Sequence, residues 1–145
     1  MTGNTRFAAS MHMLAYLAYR QGTAVPSAEI AASVGTHPVV IRRLLSALVK
    51  ARLVSATKGA SGGFALAGTP ENISLRDIYR AVEPKPTRGL DHFVPNHQCP
   101  VGAKIESILH SVFVKAQAGM EAELARVSLA DIHHQLPPVC AGNKQ

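Results

Sequence analysis

The sequence predicts a mostly α chain with one small two-stranded β element and one long C-terminal helix. Three observations carry that prediction. Three stretches of helical periodicity are crowded into the first 52 residues, the composition turns strand-like around a glycine-rich segment at 58–63, and an apolar periodicity runs unbroken from Val101 to about Val127. A chain of 145 residues has room for about one domain with a hydrophobic core of its own.

From Thr5 to Arg20, the residues Phe7, Met11, Leu14 and Ala18 recur at spacings of four, three and four, one stripe on a helix that Gly22 ends. Ser27 is the expected N-cap of a short second helix, with Glu29 in its first turn and Gly35 as its stop. Thr36 is the expected cap of a third helix over 37–51, in which Pro38 sits in the first turn and Ile41, Leu44, Leu45 and Leu48 form the buried face. Leu53–Thr57 and Phe64–Ala67 read as a hairpin joined by Lys58-Gly59-Ala60-Ser61-Gly62-Gly63. After Pro70, Ser74 and Asp77 form a capping box for a helix from Leu75 to Val82. Pro84, Pro86, Pro95 and Pro100 then exclude a helix.

The long segment carries two apolar rows, Val101, Ile105, Ile108 and Val112 beside Leu109, Phe113, Ala116 and Met120. As a helix it would be roughly 40 Å long, more apolar surface than one small domain covers, so a second chain is expected against it. Ser128 with Asp131 caps a last short helix. The expected organisation is a head over 1–83, a Pro-rich linker or sensor loop over 84–100, dimerisation helices over 101–136 and a loose tail over 137–145.

Fifteen Lys and Arg against nine Asp and Glu leave a formal charge of +6, which suits a negatively charged partner. The charge is concentrated. Residues 1–70 hold Arg6, Arg20, Arg42, Arg43, Lys50, Arg52 and Lys58 against Glu29 alone, whereas residues 71–145 hold eight cations and eight acids. At 47% hydrophobic residues the chain is too apolar for disorder, and no apolar run approaches the ~20 residues of a membrane span. The start MTGNTRFAAS lacks the features of a secretory signal, and two cysteines without one are expected to be reduced thiols in a cytoplasm. No repeat of 20–50 residues is visible.

Helix, short helix, glycine turn, helix and hairpin is the order of a winged helix-turn-helix. Ala31 lies where the two helices of the motif touch, Gly35 is the turn, and Ile30, Val34, Ile41 and Leu44 fill its core. On this reading helix 37–51 enters the major groove of DNA N-terminus first. Arginine's fork suits guanine edges or phosphates, and Val39 a thymine methyl. Arg42 and Arg43 are adjacent, about 100° apart on the helix, so one is expected to read a base and the other to bind phosphate. Lys58 among glycines puts a cation on backbone that approaches a sugar-phosphate chain closely, with Ser61 as a further donor. The residues assigned to DNA are Arg6, Ser27, Thr36, His37, Pro38, Val39, Arg42, Arg43, Lys58, Gly59 and Ser61. The glycine loop is no phosphate cradle of the P-loop kind, which needs Gly-Lys-Ser/Thr opening a helix.

Ala31 with Gly35, His37-Pro38-Val39-Val40-Ile41-Arg42-Arg43-Leu44-Leu45, Leu53-Val54, Gly62-Gly63-Phe64-Ala65-Leu66 and Ile73 to Glu83 together resemble the Rrf2 family of bacterial winged-helix transcription regulators, relatives of the iron-sulfur cluster regulator and the nitric-oxide-sensing repressor. The resemblance runs from about residue 6 to residue 134. It implies a dimer on an operator, usually a repressor, with the long helix as dimer interface: Val101, Ile105, Ile108, Leu109, Val112, Phe113 and Met120. It also makes Arg52 unusual, because the family commonly has glycine there to end the reading helix. An arginine in that left-handed position costs about 1 kcal/mol or forces another cap.

Cluster-binding members carry three cysteines between the fourth helix and the dimerisation helix, where this chain has Cys99 alone; Cys140 lies in the tail. An iron-sulfur cluster is therefore not expected, nor any other cofactor. Cys99 stands at the N-terminus of a long helix with His97 two residues away, a setting that favours thiolate and makes a redox or electrophile switch one reading. A second reading is a metal held by His92, His97 and Cys99, with His110, His133 or His134 as further candidates, although the H-x4-H-x-C spacing matches no dedicated site. A third is a buried Cys99 beside exposed histidines.

The function expected is a homodimeric, sequence-specific DNA-binding regulator in the cytoplasm, with double-stranded DNA and a second copy as partners and no membrane. The alternative is a winged-helix module for protein contact with no operator of its own. An enzyme is not expected: no acid pair, triad or metal motif appears, and Ser27, Ser61 and Cys99 have no evident base partner.

Overall fold

The computed structural model describes residues 3–83 and 93–138. In chain order it contains α1 (Gly3–Tyr19), α2 (Ser27–Val34), α3 (Pro38–Lys50), β1 (Val54–Thr57), β2 (Gly63–Leu66), a 3-10 turn at Pro70–Asn72, α4 (Leu75–Val82), α5 (Gly102–Ala125) and α6 (Leu129–His133). The architecture is the expected winged helix-turn-helix, mostly helical with one two-stranded antiparallel sheet. His92, Cys140, most of the expected tail and the first half of the linker lie outside the described residues.

The core collects one face from each short helix. Met13, Leu14 and Leu17 of α1, Ile30 of α2, Ile41, Leu45 and Leu48 of α3 and Ile78 of α4 are at most 1% exposed, so the three-helix unit and α4 share one apolar centre. The single stripe expected on α1 is only half of what that helix buries. Leu14 and Ala18 are buried, Phe7 and Met11 are half-buried, and Met13 and Leu17 are sealed in the core.

Two expected caps are replaced. Ser27 is the first residue of α2 and Pro26 is its N-cap, with no side-chain hydrogen bond. Proline's fixed φ supplies the extended entry without help from a hydroxyl. At α3 the cap is His37, one residue after the expected Thr36: its ring Nδ1 accepts the Val39 N–H at 3.2 Å, and Pro38 fills the first helical position. Both later capping boxes form as expected, Ser74 with Asp77 at α4 and Ser128 with Asp131 at α6.

β1 and β2 pair antiparallel from Val54↔Leu66 to Thr57↔Gly63; the first strand starts one residue later than the sequence suggested, and the second keeps its length but lies one residue earlier. Val25 exchanges two backbone hydrogen bonds of 2.8 Å with Phe64, which ties the hairpin to the entrance of α2. A Cβ at Gly63 would stand 2.5 Å from the Val25 carbonyl oxygen, so this tie needs glycine.

α6 does not extend the long helix outward, although the sequence groups it with the dimerisation helices over 101–136. Leu129 is fully buried in the head's core. The Leu75 N–H donates to the Val127 carbonyl at 2.9 Å and the Leu129 N–H to the Ile73 carbonyl at 2.8 Å, so the starts of α4 and α6 are joined by backbone. α5 leaves the head and the chain returns to it. At 24 residues α5 is about 36 Å long.

Candidate nucleic-acid interface

The turn between α2 and α3 is set by Gly35, which adopts the left-handed conformation (φ 70°, ψ 32°) and donates its N–H to the Ala31 carbonyl at 2.9 Å. Three residues later α3 begins. Its buried residues Ile41, Leu44, Leu45 and Leu48 fix the helix's rotation about its own axis. The opposite face consists of Val39, Arg42, Arg43, Ser46 and Lys50, all exposed, at helical spacings of three, one, three and four. The sequence assignment included Val39, Arg42 and Arg43 and omitted Ser46 and Lys50, which extending the same spacing along α3 would have found.

Val39 is 50% exposed at the start of this face, an apolar side chain left in water beside arginines. His37 is exposed, but its Nδ1 is engaged in capping, which requires that nitrogen to be free of a proton. It therefore holds the end of α3 as well as lying on its exposed edge. Pro38 is exposed beside it and Thr36 is half-buried in the turn.

Electrostatics sharpen the assignment. Glu29, the only acid in residues 1–70, forms an ion pair with Arg20 and accepts the Tyr16 hydroxyl at 2.6 Å. The hydrogen bond that the Tyr16 hydroxyl donates to this carboxylate, with its burial, pushes the phenol above its ordinary pKa, because deprotonation would give that bond up. The remaining cations of this half, Arg6, Arg42, Arg43, Lys50, Arg52 and Lys58, have no carboxylate partner among the described residues. The one acid is spent on the one cation that stands away from α3 and the hairpin, apart from Arg6 on the first turns of α1.

Arg52 resolves the question of how α3 ends. Its φ is +61°, and the Leu53 N–H reaches back to the Leu48 carbonyl at 3.0 Å while its own N–H reaches Val49 at 2.9 Å. These two bonds are a Schellman motif with arginine in the position glycine usually takes. The motif turns the chain into β1. At the hairpin tip Lys58, Gly59 and Ser61 are exposed, as expected.

The second surface is apolar. On α5, Val101 just before the helix, Ile108, Val112 and Phe113 are 54–67% exposed and Met120 is 40% exposed; Ile105 and Leu109 are half-buried. Val114, 50% exposed, lies on another side of α5, where it lines a groove with Arg76 and Arg80 of α4, and belongs to neither row. Within the chain α5 packs against α4, where Arg80 forms an ion pair with Glu121.

Cys99 is exposed, which removes the reading of it as a buried hydrophobe. Its thiol is held below its ordinary pKa by the backbone N–H groups of Gly102 and then Val101 at the start of α5. His97 is exposed in the same turn. Among the described residues no three His, Cys, Asp or Glu side chains converge on a point that would hold a metal ion. His92, part of the metal reading, is outside the described residues. With two cysteines in the whole chain, the donor set does not fit a cluster held by three thiolates of one subunit. Among the described residues no helix is long and apolar enough to cross a membrane.

A helix-turn-helix whose second helix shows unpaired cations, followed by a hairpin carrying another, defines a winged-helix regulator of the DNA-binding class. The model of the Rrf2 family, described as iron-dependent transcriptional regulator, matches residues 3–135, and this chain belongs to the Rrf2 family. The Bacillus subtilis protein YwnA, whose name places it among HTH-type transcriptional regulators, is 40% identical over 133 residues, which span 92% of this chain and 98% of YwnA. A crystal structure of a transcriptional regulator from Lactobacillus plantarum superposes with a TM-score of 0.78 at 28% identity, covering 89% of this chain and 87% of that one. IscR of T. potens gives 0.66 at 25% identity over 94% and 93%.

Proposed function

We propose that this chain is a sequence-specific, operator-binding transcription regulator that works as a homodimer and represses by occupying promoter DNA. The observation that carries the reading is the exposed face Val39, Arg42, Arg43, Ser46 and Lys50 on α3, with its cations unpaired and Lys58 on the neighbouring hairpin. A helix end with Val39 and two arginines suits base edges, and Lys58 with the glycine tip suits the phosphate backbone. The apolar surface of α5 is the support for the dimer, because dyad-related copies would cover it and place two α3 helices on two half-sites.

The test is selection of a binding site from randomised duplexes, followed by gel-shift titration at rising salt. A preferred sequence, with log K falling by about 0.9 per neutralised phosphate per decade of salt, is the expected outcome. Equal, feeble binding to every duplex would overturn this reading in favour of a module for protein contact.

For the effector, the exposed Cys99 at the junction of linker and α5 supports a thiol switch without a resident cluster. With a peroxide, the thiolate sulfur attacks one oxygen, the O–O bond breaks, the cysteine becomes sulfenic acid and the other oxygen leaves as hydroxide. Operator affinity of the wild type should then change on peroxide treatment while Cys99→Ser does not respond. Elemental analysis of protein purified without chelator tests the competing metal reading directly.

A further inference from the structure

The face of α1 turned away from the core is also apolar, and it forms one wall of a cleft. Met11, Tyr16 and Tyr19 of α1 stand opposite Ile132 and Leu136 on and after α6, enclosing about 530 Å³. That volume falls in the range of small-molecule sites, and the wall is almost entirely carbon, with aromatic rings from His12, Tyr16 and Tyr19. No Asp, Glu, Lys or Arg lines the cleft, and the Nε2 of its one imidazole, His12, is engaged with Ser33, so the walls offer no carboxylate, ammonium or guanidinium to compensate a charged occupant.

Two of the rings that line the cleft hold the reading head with their polar tips. His12 Nε2 lies 3.0 Å from the Ser33 hydroxyl, and the Tyr16 hydroxyl donates to Glu29 at 2.6 Å. Ser33 and Glu29 both belong to α2, the first helix of the helix-turn-helix. A molecule that wedges between α1 and α6 pushes on those rings, and their tips cannot move without releasing or re-angling α2.

We propose that the cleft between α1 and α6 binds an uncharged, aromatic small molecule, and that Tyr16 and His12 transmit its presence to α2. The occupant is assigned by complementarity: a half-enclosed volume of small-molecule size, uncharged walls and three rings for stacking or edge contacts. The binding half stands on this geometry alone; the transmission half rests on the DNA-binding reading above.

The probe is N-phenyl-1-naphthylamine, a neutral aromatic amine whose fluorescence rises in apolar surroundings. Saturable binding at one site per chain is expected. Leu136→Trp, a change at a position 41% exposed, fills the cleft from its rim and should weaken the probe by about tenfold or more while circular dichroism and melting stay as in the wild type. Unsaturable binding, or undiminished binding to Leu136→Trp, overturns the site. Two other occupants would overturn it as well. A chain ending at Pro138 that binds the probe much more tightly would assign the cleft to the protein's own last residues, and probe affinity that falls as the protein self-associates would assign it to a second copy.

Transmission is read on a selected operator duplex. Saturating probe should change wild-type operator affinity by about fivefold or more, and Tyr16→Phe, which keeps the ring and loses the tie to Glu29, should blunt that change. Probe binding without any change in operator affinity overturns transmission. If the wild type binds no operator even without probe, the DNA-binding reading has failed and the fluorescence result still decides the site.

Discussion

α3 and α5 are finished by their own chain in opposite ways. On α3 the apolar face is sealed, with Ile41, Leu45 and Leu48 fully buried, and the face left outside carries Arg42, Arg43 and Lys50 beside Val39 and Ser46. On α5 the described chain covers little beyond the strip facing α4, and what remains outside includes Ile108, Val112 and Phe113, each more than half exposed. One helix lacks an anion and the other lacks an apolar neighbour. Under the function proposed above the two deficits serve each other, because a second copy packed on the uncovered surface of α5 would bring two copies of the α3 surface to one duplex.

The largest expected effect comes from attacking α5. Val112→Glu puts a charge where the proposed partner packs but where the monomer leaves the side chain 56% exposed, so the monomer should fold with unchanged melting. Sedimentation should show a monomer, and operator affinity should fall by roughly two orders of magnitude, since the second half-site becomes a separate binding event. A variant that stays dimeric would move the interface off α5 and break the contrast between the two helices.

A smaller effect separates the two kinds of cation. Arg43→Ala should cost about 1–3 kcal/mol on the selected operator and relax preference at one base position if Arg43 is the base reader. Lys58→Ala should weaken all duplexes alike and lower the salt slope by about one. If Arg43→Ala instead behaves as Lys58→Ala does, Arg42 is the reader, because the two adjacent side chains diverge along the groove. Competitive gel shifts with single-base operator variants distinguish these outcomes.

Much of this was legible in the sequence because it depends on neighbours a few residues apart. Both capping boxes, the Gly35 turn and the buried face of α3 follow from local spacing. The caps at Ser27 and Thr36 were misread because Pro26 and His37 compete for the same role, and the outcome depends on φ and ψ that the residue type alone does not dictate. The docking of α6 was invisible for another reason. Leu129 enters the core beside residues some fifty positions earlier, and its short helix shows too little periodicity to declare an inward face. The cleft escaped notice because α1 is apolar on two sides, one for the core and one for the cleft, and a single stripe through Phe7, Met11, Leu14 and Ala18 blends them.

The smallest expected effect lies at the seam between reading helix and wing. Arg52 holds a left-handed backbone in which its Cβ crowds the following carbonyl, at a cost of roughly 1 kcal/mol. Arg52→Gly removes that crowding and keeps both Schellman bonds, which are made by backbone. It also makes the unfolded chain more flexible, which offsets part of the gain. The net expectation is a rise in stability of less than about 1 kcal/mol, read as a small upward shift in the denaturant midpoint at unchanged slope. Operator affinity should drop at the same time with a shallower salt dependence, because one of the unpaired cations near α3 is gone. Stability rising while affinity falls would show that the left-handed arginine is kept for its charge. Stability rising with affinity unchanged would remove Arg52 from the cationic surface and leave that surface to α3 and the hairpin tip.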